Sequence, residues 1–477
     1  MAAGIQRRNI LKTGLSALGL LALDGLPVFA APAGFKPNGN PNLVLGVLSD
    51  THLRVGWNGV KPHGGFPLKY VRNALNLFRS RNIDGLVHCG DMAHRGMVRE
   101  MEFHRDLIEE VWGKGGGPAR LFVTGNHEWF GNVKGFGGPS GVNLYKDPAE
   151  RAKHTLCGDF PAHWERIWGE KYEPVWHKEV KGYHFFGHHW KAGEKDHANL
   201  ILQKAGVCSL KGAKPFFILS HLRNHFAFNK SLRAFPNAIA LFGHFHVSNA
   251  DWKTIYFDSF GGFFPSIQVG ACRFDGGNCF DYTGEKTLKV KAGGDKRNYH
   301  NNKVPSRQAM VVNVYDEMVV LERHEVGQGG KLGPDWVLPL GQYKPNPFSR
   351  GELAKTIGEP QFGEGARLGV GSAKSKDGED AVRLTIPLAN GNPYSRVFAY
   401  DVVIVGEDPE KRLFKSVYFE GCNLGVGHEP GNGLTLVDIP NGELPAGTKF
   451  TIAVRPISSL GTKGKSISAK CVLRSRV

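Results

Sequence analysis

Residues 42–52 read Asn42-Leu43-Val44-Leu45-Gly46-Val47-Leu48-Ser49-Asp50-Thr51-His52. The first part is a short apolar run of strand length. It does not alternate, which suits a strand buried on both faces. It turns polar abruptly, and a carboxylate and an imidazole arrive two residues apart. Open α/β sheets gather their ligands at the carboxyl ends of their strands. Asp50 and His52 are therefore the first candidate functional residues.

The same sentence structure recurs along the chain. Residues 83–89 form a second apolar run that ends in Gly90-Asp91. Residues 120–124 form a third, ending in Gly125-Asn126-His127-Glu128. Between these runs lie two segments of helical spacing. Residues 70–78 place Val71, Ala74, Leu75 and Phe78 on one face, and residues 97–111 do the same with Phe103, Leu107 and Val111. Gly115-Gly116-Gly117-Pro118 stops the second. Strand alternating with helix predicts a layered α/β fold with helices on the sheet faces.

Further on, residues 216–220 run into His221, and residues 238–242 into Gly243-His244-Phe245-His246. Strands are also expected at 255–257, 267–269, 309–315 and 319–321, the last two joined as a hairpin around Asp316-Glu317. Residues 131–210 are less regular and read as a long, partly helical insertion with a strand at 183–186. His188 and His189 follow that strand and could be ligands or ordinary polar residues. Trp164, Trp168, Trp176 and Trp190 in the same segment could stack on a substrate or simply pack on the fold.

The polar strand ends collect Asp50, His52, Asp91, Asn126, His221, His244 and His246. Imidazole nitrogen and carboxylate oxygen suit Zn, Mn or Fe. Asp50 and His52 are two apart, as are His244 and His246, so each loop can aim both side chains at one ion. A carboxylate such as Asp91 can bridge two ions through its two oxygens. Two divalent ions about 4 Å apart can clamp the attacking and leaving oxygens of a phosphoryl displacement.

These blocks resemble the calcineurin-like metallophosphoesterase family, whose signature runs Asp-x-His, Gly-Asp, Gly-Asn-His-Asp/Glu, a lone His and Gly-His-x-His. All five are present here in that order, each after an expected strand. The resemblance covers roughly residues 43–323. It implies a layered metallophosphoesterase β-sandwich flanked by helices, and an enzyme that hydrolyses phosphate monoesters or diesters with a metal-bridging hydroxide. One ion would be held by Asp50, His52, Asp91 and His246, the other by Asp91, Asn126, His221 and His244. His127 would protonate the leaving group or stabilise its charge, and Glu128 would orient His127 by a hydrogen bond. His94, three residues after Asp91, would touch phosphate or steady its loop. Purple acid phosphatases carry their coloured-complex tyrosine at that offset, so His94 argues against an iron–tyrosinate site. His221 lacks a proline often found two residues later in relatives, and His225 is a rival ligand.

The 477-residue chain is too long for one ordinary core, so two globular domains are expected. Its 41% hydrophobic and 22% charged residues exclude a disordered protein. The net charge of +16 reads first as a generally basic solvated surface, and second as a field that steers an anionic phosphoester substrate. No Lys/Arg block or basic-aromatic stripe marks the folded region, which argues against nucleic acid as a partner. Seven cysteines without a CxxC pair are too few for a disulfide scaffold, although Cys272 and Cys279 could close a small loop.

The N-terminus, Arg7-Arg8-Asn9-Ile10-Leu11-Lys12, precedes a short apolar stretch that ends in Ala30-Ala31-Pro32-Ala33. That layout is an export signal, and the adjacent arginines resemble the twin-arginine type. It implies the twin-arginine export machinery as a partner and a periplasmic or secreted location. The stretch carries Asp24 and is a poor membrane span, so no stable span is expected. The expected organisation is a signal peptide at 1–33, a catalytic domain at 40–325 and a linker or wrapping arm at 326–380. A C-terminal all-β sandwich follows at 381–477. Its strands at 382–386, 397–405, 414–419, 434–439 and 450–454, with Ser459-Leu460-Gly461 after the last, resemble a fibronectin type III module. The competing readings are a non-catalytic exported binding or adhesion protein that retains a metal site, and a nuclease.

Overall fold

The computed structural model describes residues 37–63, 68–133, 140–212, 214–222, 230–246, 249, 255–256, 264–273, 307–327, 329–340, 359–375, 377–390, 397–410, 412–418, 434–458 and 462–473. The expected signal peptide, His225 and the Cys272–Cys279 pairing lie wholly or partly outside these residues.

The apolar runs form strands because their side chains have nowhere wet to go. β1 (Leu43–Leu48), β2 (Gly85–Cys89) and β3 (Ala119–Val123) lie side by side and parallel. The helices between them follow the spacing of their apolar residues. α1 (Leu68–Ser80) buries Val71, Ala74, Leu75 and Phe78. α2 (Val98–Trp112) buries Phe103, Leu107 and Val111, and ends at Gly113, whose φ of 88° lets its N–H reach the Glu109 carbonyl. Three shorter helices follow: α3 (Gly141–Leu144), α4 (Pro148–His154) and α5 (Phe160–Trp168).

Residues 175–188 are where the structure departs most from the sequence expectation. β4 (Val175–Val180) and β5 (Tyr183–His188) are not decoration on an insertion but two of the six strands of a second sheet. After α6 (Glu194–Lys204), β6 (Phe216–Ser220) and β7 (Ala238–Phe242) continue it in parallel. β8 (Ile255–Tyr256) and β9 (Ser266–Gln268) complete the order β4-β5-β6-β7-β9-β8. β10 (Gln308–Val314) and β11 (Met318–Glu325) form the expected hairpin, and β10 pairs antiparallel with β1. The first sheet thus runs β12-β11-β10-β1-β2-β3, with β12 (Trp336–Pro339) at its edge.

The two sheets share one apolar core. Leu45, Val47, Val87 and Leu121 from the first meet Phe185, Phe217, Leu219 and Ile239 from the second. α1, α2 and α5 cover the outer face of the first sheet, and α6 covers that of the second. The strand ends that carry the polar motifs therefore belong to two sheets packed face to face.

β12 lies inside the segment expected to be a linker. Trp336 is buried in the shared core, with the Arg323 guanidinium 3.9 Å from its ring centroid. A chain ending at residue 327 should consequently melt roughly 5–10 °C below one ending at residue 345, because it loses a buried aromatic and an edge strand. Differential scanning calorimetry of the two lengths checks this, and equal midpoints would sink it.

The C-terminal region is all β. Strands Gly369–Lys374, Asp380–Pro387 and Leu434–Pro440 form one sheet. Val397–Val405, Arg412–Tyr418, Lys449–Ser458 and Ile467–Val472 form another. Leu384, Ile386 and Ile439 from the first meet Val402, Ile404, Ile452 and Val454 from the second in a separate apolar core. The α/β fold with an additional all-β region is the class expected from the sequence.

Candidate metal centre

Each polar motif sits at the carboxyl end of its strand, as the sequence pattern requires. The backbone there is unusual. Eight non-glycine residues among those described have positive φ, and five of them are Asp50, His52, Asp91, His244 and His246, with φ of 51°, 45°, 57°, 77° and 51°. Such conformations are disfavoured for residues with a Cβ and persist only where the surroundings impose them. They turn each side chain out of its strand and into one cleft. The motif glycines let the loops close on one another. A Cβ on Gly125 would overlap the Asp91 carboxylate, and one on Gly243 would overlap Ser49 Oγ and Asp50 Oδ2.

Three groups of ligand atoms result: two contain a carboxylate, and the third, His52, His94 and His127, is all imidazole. Asp50, His52 and His246 form the first, and Asp91, His221 and His244 the second. In the first, His246 Nε2 is 3.2 Å from Asp50 Oδ1 and 3.1 Å from His52 Nε2. In the second, His221 Nε2 is 3.2 Å from both Asp91 Oδ2 and His244 Nδ1. Asp91 Oδ2 also lies 3.6 Å from His52 Nε2, so it faces both clusters.

The residues present fit a pair of cations. Asp50 and Asp91 are buried, at 0% and 2% exposure, and imidazoles rather than lysines or arginines are their close ionisable neighbours. Buried carboxylates without a cation are costly. Asn126 Oδ1 is buried and has no hydrogen-bond partner, as a carbonyl oxygen awaiting a metal would be. His221 is oriented for ligation, because its Nδ1–H donates to the Cys89 carbonyl at 2.7 Å and leaves Nε2 toward Asp91.

The electrostatics agree. Burial drives His52 well below the ordinary imidazole range, assisted by His127 and His246. Burial and then His221 lower His244 to about 4. These rings stay neutral and keep a lone pair to offer. Burial would lower His221 too, but the Asp91 carboxylate outweighs it and raises it to about 9. A proton on His221 thus occupies the place a cation would take. Asp91 resists the upward push of burial, and His221 and His127 hold it well below the usual carboxylate range.

His127 stands beside both clusters. Its Nε2 is 3.9 Å from Asp91 Oδ2, and its ring centroid is 4.4 Å from that of His52. Its Nδ1 lies 2.7 Å from the His94 carbonyl, to which it donates, so Nε2 is left for other work. This corrects the expectation for Glu128, which does not hold His127 by a hydrogen bond. Glu128 instead accepts the backbone N–H groups of Asp91, Ala93 and Gly125 at 3.1, 2.7 and 2.6 Å. It ties the second and third loops together beneath the site. Burial and the Asp91 carboxylate push it up to about 8, against the pull of those N–H groups. Glu128→Ala should therefore cost roughly 3–6 kcal/mol of stability by orphaning three buried donors. Denaturant titration measures it, and a loss under about 1 kcal/mol would contradict this role.

His94 forms the wall on the other side. Its Nδ1 is 3.4 Å from His52 Nδ1 and 3.2 Å from Arg273 Nη1. Burial lowers Arg273 to about 10, helped by the charges of Arg54, Arg307 and Arg95. That concentration of guanidinium groups was not legible in the sequence, where the four arginines are far apart. Nor was the network below the site, in which Thr51 Oγ1 lies 3.1 Å from His88 Nε2 and 2.6 Å from His104 Nε2.

The open histidines resolve differently. His189 is buried and accepts the Thr124 N–H through Nδ1 at 3.1 Å, and neither it nor His188 joins a ligand cluster. Among the tryptophans, Trp164, Trp168 and Trp176 are core residues. Trp190 alone faces the site, with its ring centroid 5.7 Å from those of both His221 and His244.

Residues 43–248 match the family model described as calcineurin-like phosphoesterase. They form a calcineurin-like metallophosphoesterase domain. Among solved structures, this chain is similar to a dimetal phosphatase from Danio rerio at 12% identity, with 63% of this chain and 100% of that one covered and a TM-score of 0.33. It is also similar to the purple acid phosphatase PPD1 from yellow lupin at 13% identity, covering 63% and 55% of the two chains with a TM-score of 0.37. The phosphoesterase Yfce from E. coli matches at 12% identity, covering 61% and 96% with a TM-score of 0.26. No curated protein sequence matches the chain. The His/Asp clusters of this metallophosphoesterase domain can hold metal ions, which supports metal-dependent hydrolysis.

Proposed function

We propose that this protein is a two-metal phosphoesterase acting on phosphate monoesters or diesters outside the cytoplasm. The observation that carries the reading is Asp91, a buried carboxylate of one ligand cluster whose Oδ2 also lies 3.6 Å from His52 of the other, with an imidazole, His127, beside it. Asp50, His52, Asp91 and His246 would hold one ion, and Asp91, Asn126, His221 and His244 the other. Zn, Mn or Fe bound there would lower the pKa of bound water and draw charge from the phosphoryl oxygens.

The chain's own residues supply the rest. His127 would give a proton or hydrogen bond to the departing ester oxygen from Nε2 in its imidazolium form, since its Nδ1–H is committed to the His94 carbonyl; burial works against that form and the neighbouring Asp91 carboxylate favours it. His94 and Arg273 form a positive and polar wall toward which an anionic substrate is drawn. Glu128 positions the loops that carry Asp91 and His127. Trp190 offers an aromatic face to the leaving group beside His221 and His244. Arg7-Arg8 and the apolar stretch after them support twin-arginine export to the periplasm or medium. No described helix is long and apolar enough to cross a membrane. The C-terminal sheets support an accessory sandwich of fibronectin type III kind.

The test is a substrate panel. Mn- and Zn-loaded protein is assayed on p-nitrophenyl phosphate, bis-p-nitrophenyl phosphate and nucleotides. Turnover of at least one phosphoester that is lost on chelation is expected. Silence across a broad panel with every metal would overturn the enzymatic reading and favour a binding protein.

A further inference from the structure

A second set of metal-ligating side chains lies away from the Asp91 centre. His177 is on β4, His184 is on β5, and Cys208 is in the turn that follows α6. The β4–β5 register pairs His177 with Phe186 and Glu179 with His184, so the two histidines are diagonal neighbours on one sheet face. That face is the one α6 covers: Phe186 packs with Ala198 and Ile201 from the helix, and Cys208 packs at the edge of the same cluster. Three chain segments distant in sequence thus bring two imidazoles and a thiol to one point.

The separations from His177 are close to those of a tetrahedral site. His177 Nε2 is 3.1 Å from His184 Nδ1 and 3.8 Å from Cys208 Sγ, and all three ligand atoms lie within 4.8 Å of one another. Zinc bonds of about 2.0–2.1 Å to nitrogen and 2.3 Å to sulfur put tetrahedral ligand atoms roughly 3.3–3.7 Å apart. The exposed Glu179 carboxylate stands 3.8 Å from His184 Nδ1, beside these three side chains. All three ligand side chains are partly buried. Burial, then His184 and Lys204, lower the His177 pKa and keep its ring neutral. Ligation would take the proton from the Cys208 thiol.

We propose that His177, His184 and Cys208 form a structural site for zinc or a similar borderline-soft divalent cation. It fastens the turn after α6 to the β4–β5 hairpin. This site is separate from the Asp91 centre, whose ligand groups contain no thiol.

Cobalt(II) is the probe, because a thiolate ligand gives it a near-ultraviolet charge-transfer band that nitrogen and oxygen ligands do not. The full chain, reduced and stripped of metal, is titrated with cobalt chloride. The band is expected in the wild type and in Asp91→Asn, and absent in Cys208→Ser. His184→Gln should need at least about tenfold more cobalt to develop it, since losing a ligand costs no less than losing an outer partner of one. Cys208→Ser should leave phosphoester turnover unchanged. No band in the wild type, or a band that survives in Cys208→Ser, overturns the proposal. If Cys208→Ser fails to fold, an unshifted titration in His184→Gln does the same.

Discussion

Asp91→Asn should lower turnover by about 10²–10³-fold or more and leave the centre with at most one firmly held ion. The reason is geometric. Asp91 Oδ2 faces His52 at 3.6 Å and His221 at 3.2 Å, so one carboxylate serves both clusters. An amide offers one oxygen and no charge, and its nitrogen repels a cation. Asn126→Asp should be milder. Asn126 has one orphaned buried oxygen, and a carboxylate still supplies an oxygen in its place. Metal content and rate are measured for both variants. An Asp91 variant with normal occupancy and normal rate would refute the shared-ligand assignment.

His127→Ala is expected to reduce turnover by about 10²–10⁴-fold while leaving metal content intact. It stands outside the Asp50 and Asp91 clusters and groups instead with His52 and His94, a set with no carboxylate. It reaches the site through Nε2 alone, because its Nδ1 is committed to the His94 carbonyl. The loss should be larger for alkyl diesters than for nitrophenyl esters, since a poor alkoxide leaving group needs the proton most. Equal losses on both would show that His127 acts on charge rather than as an acid. Loss of metal in the variant would move it into the ligand set.

Much of this site could be read from the chain, and for a physical reason. Strands buried on both faces are written as unbroken apolar runs, so β1, β2, β3, β6 and β7 are visible, and the polar residues that end them stand out. The helices α1 and α2 were legible from 3.6-residue periodicity alone. Less visible was whatever depends on contacts between distant segments. β4 reads Val-Trp-His-Lys-Glu-Val, polar enough to pass for loop, because it is the edge of its sheet. β12 is hidden among glycines and prolines, and only its pairing with β11 makes it a strand. The strand Gly369–Lys374 contains glycines and small residues and is largely exposed, so nothing in its composition marks it. Glu128 was recognised as part of the motif but given the wrong partner. A buried carboxylate can orient a side chain or gather backbone N–H groups, and the sequence does not distinguish these. The arginines around Arg273 and the His177–His184–Cys208 cluster are assembled purely by topology.

On the proposed function, phosphoester hydrolysis depends on a pair of ions held around Asp91. The most direct test is a titration of Mn(II) into metal-stripped protein, read as turnover of bis-p-nitrophenyl phosphate and p-nitrophenyl phosphate. Manganese is a hard ion that prefers oxygen and nitrogen, so it reports on this centre and not on a thiolate site. No turnover is expected without metal, with a rise that saturates at two ions per chain and a flat response in Asp91→Asn. Full activity at one ion per chain, or turnover in the stripped protein equal to that of the loaded one, would contradict that dependence.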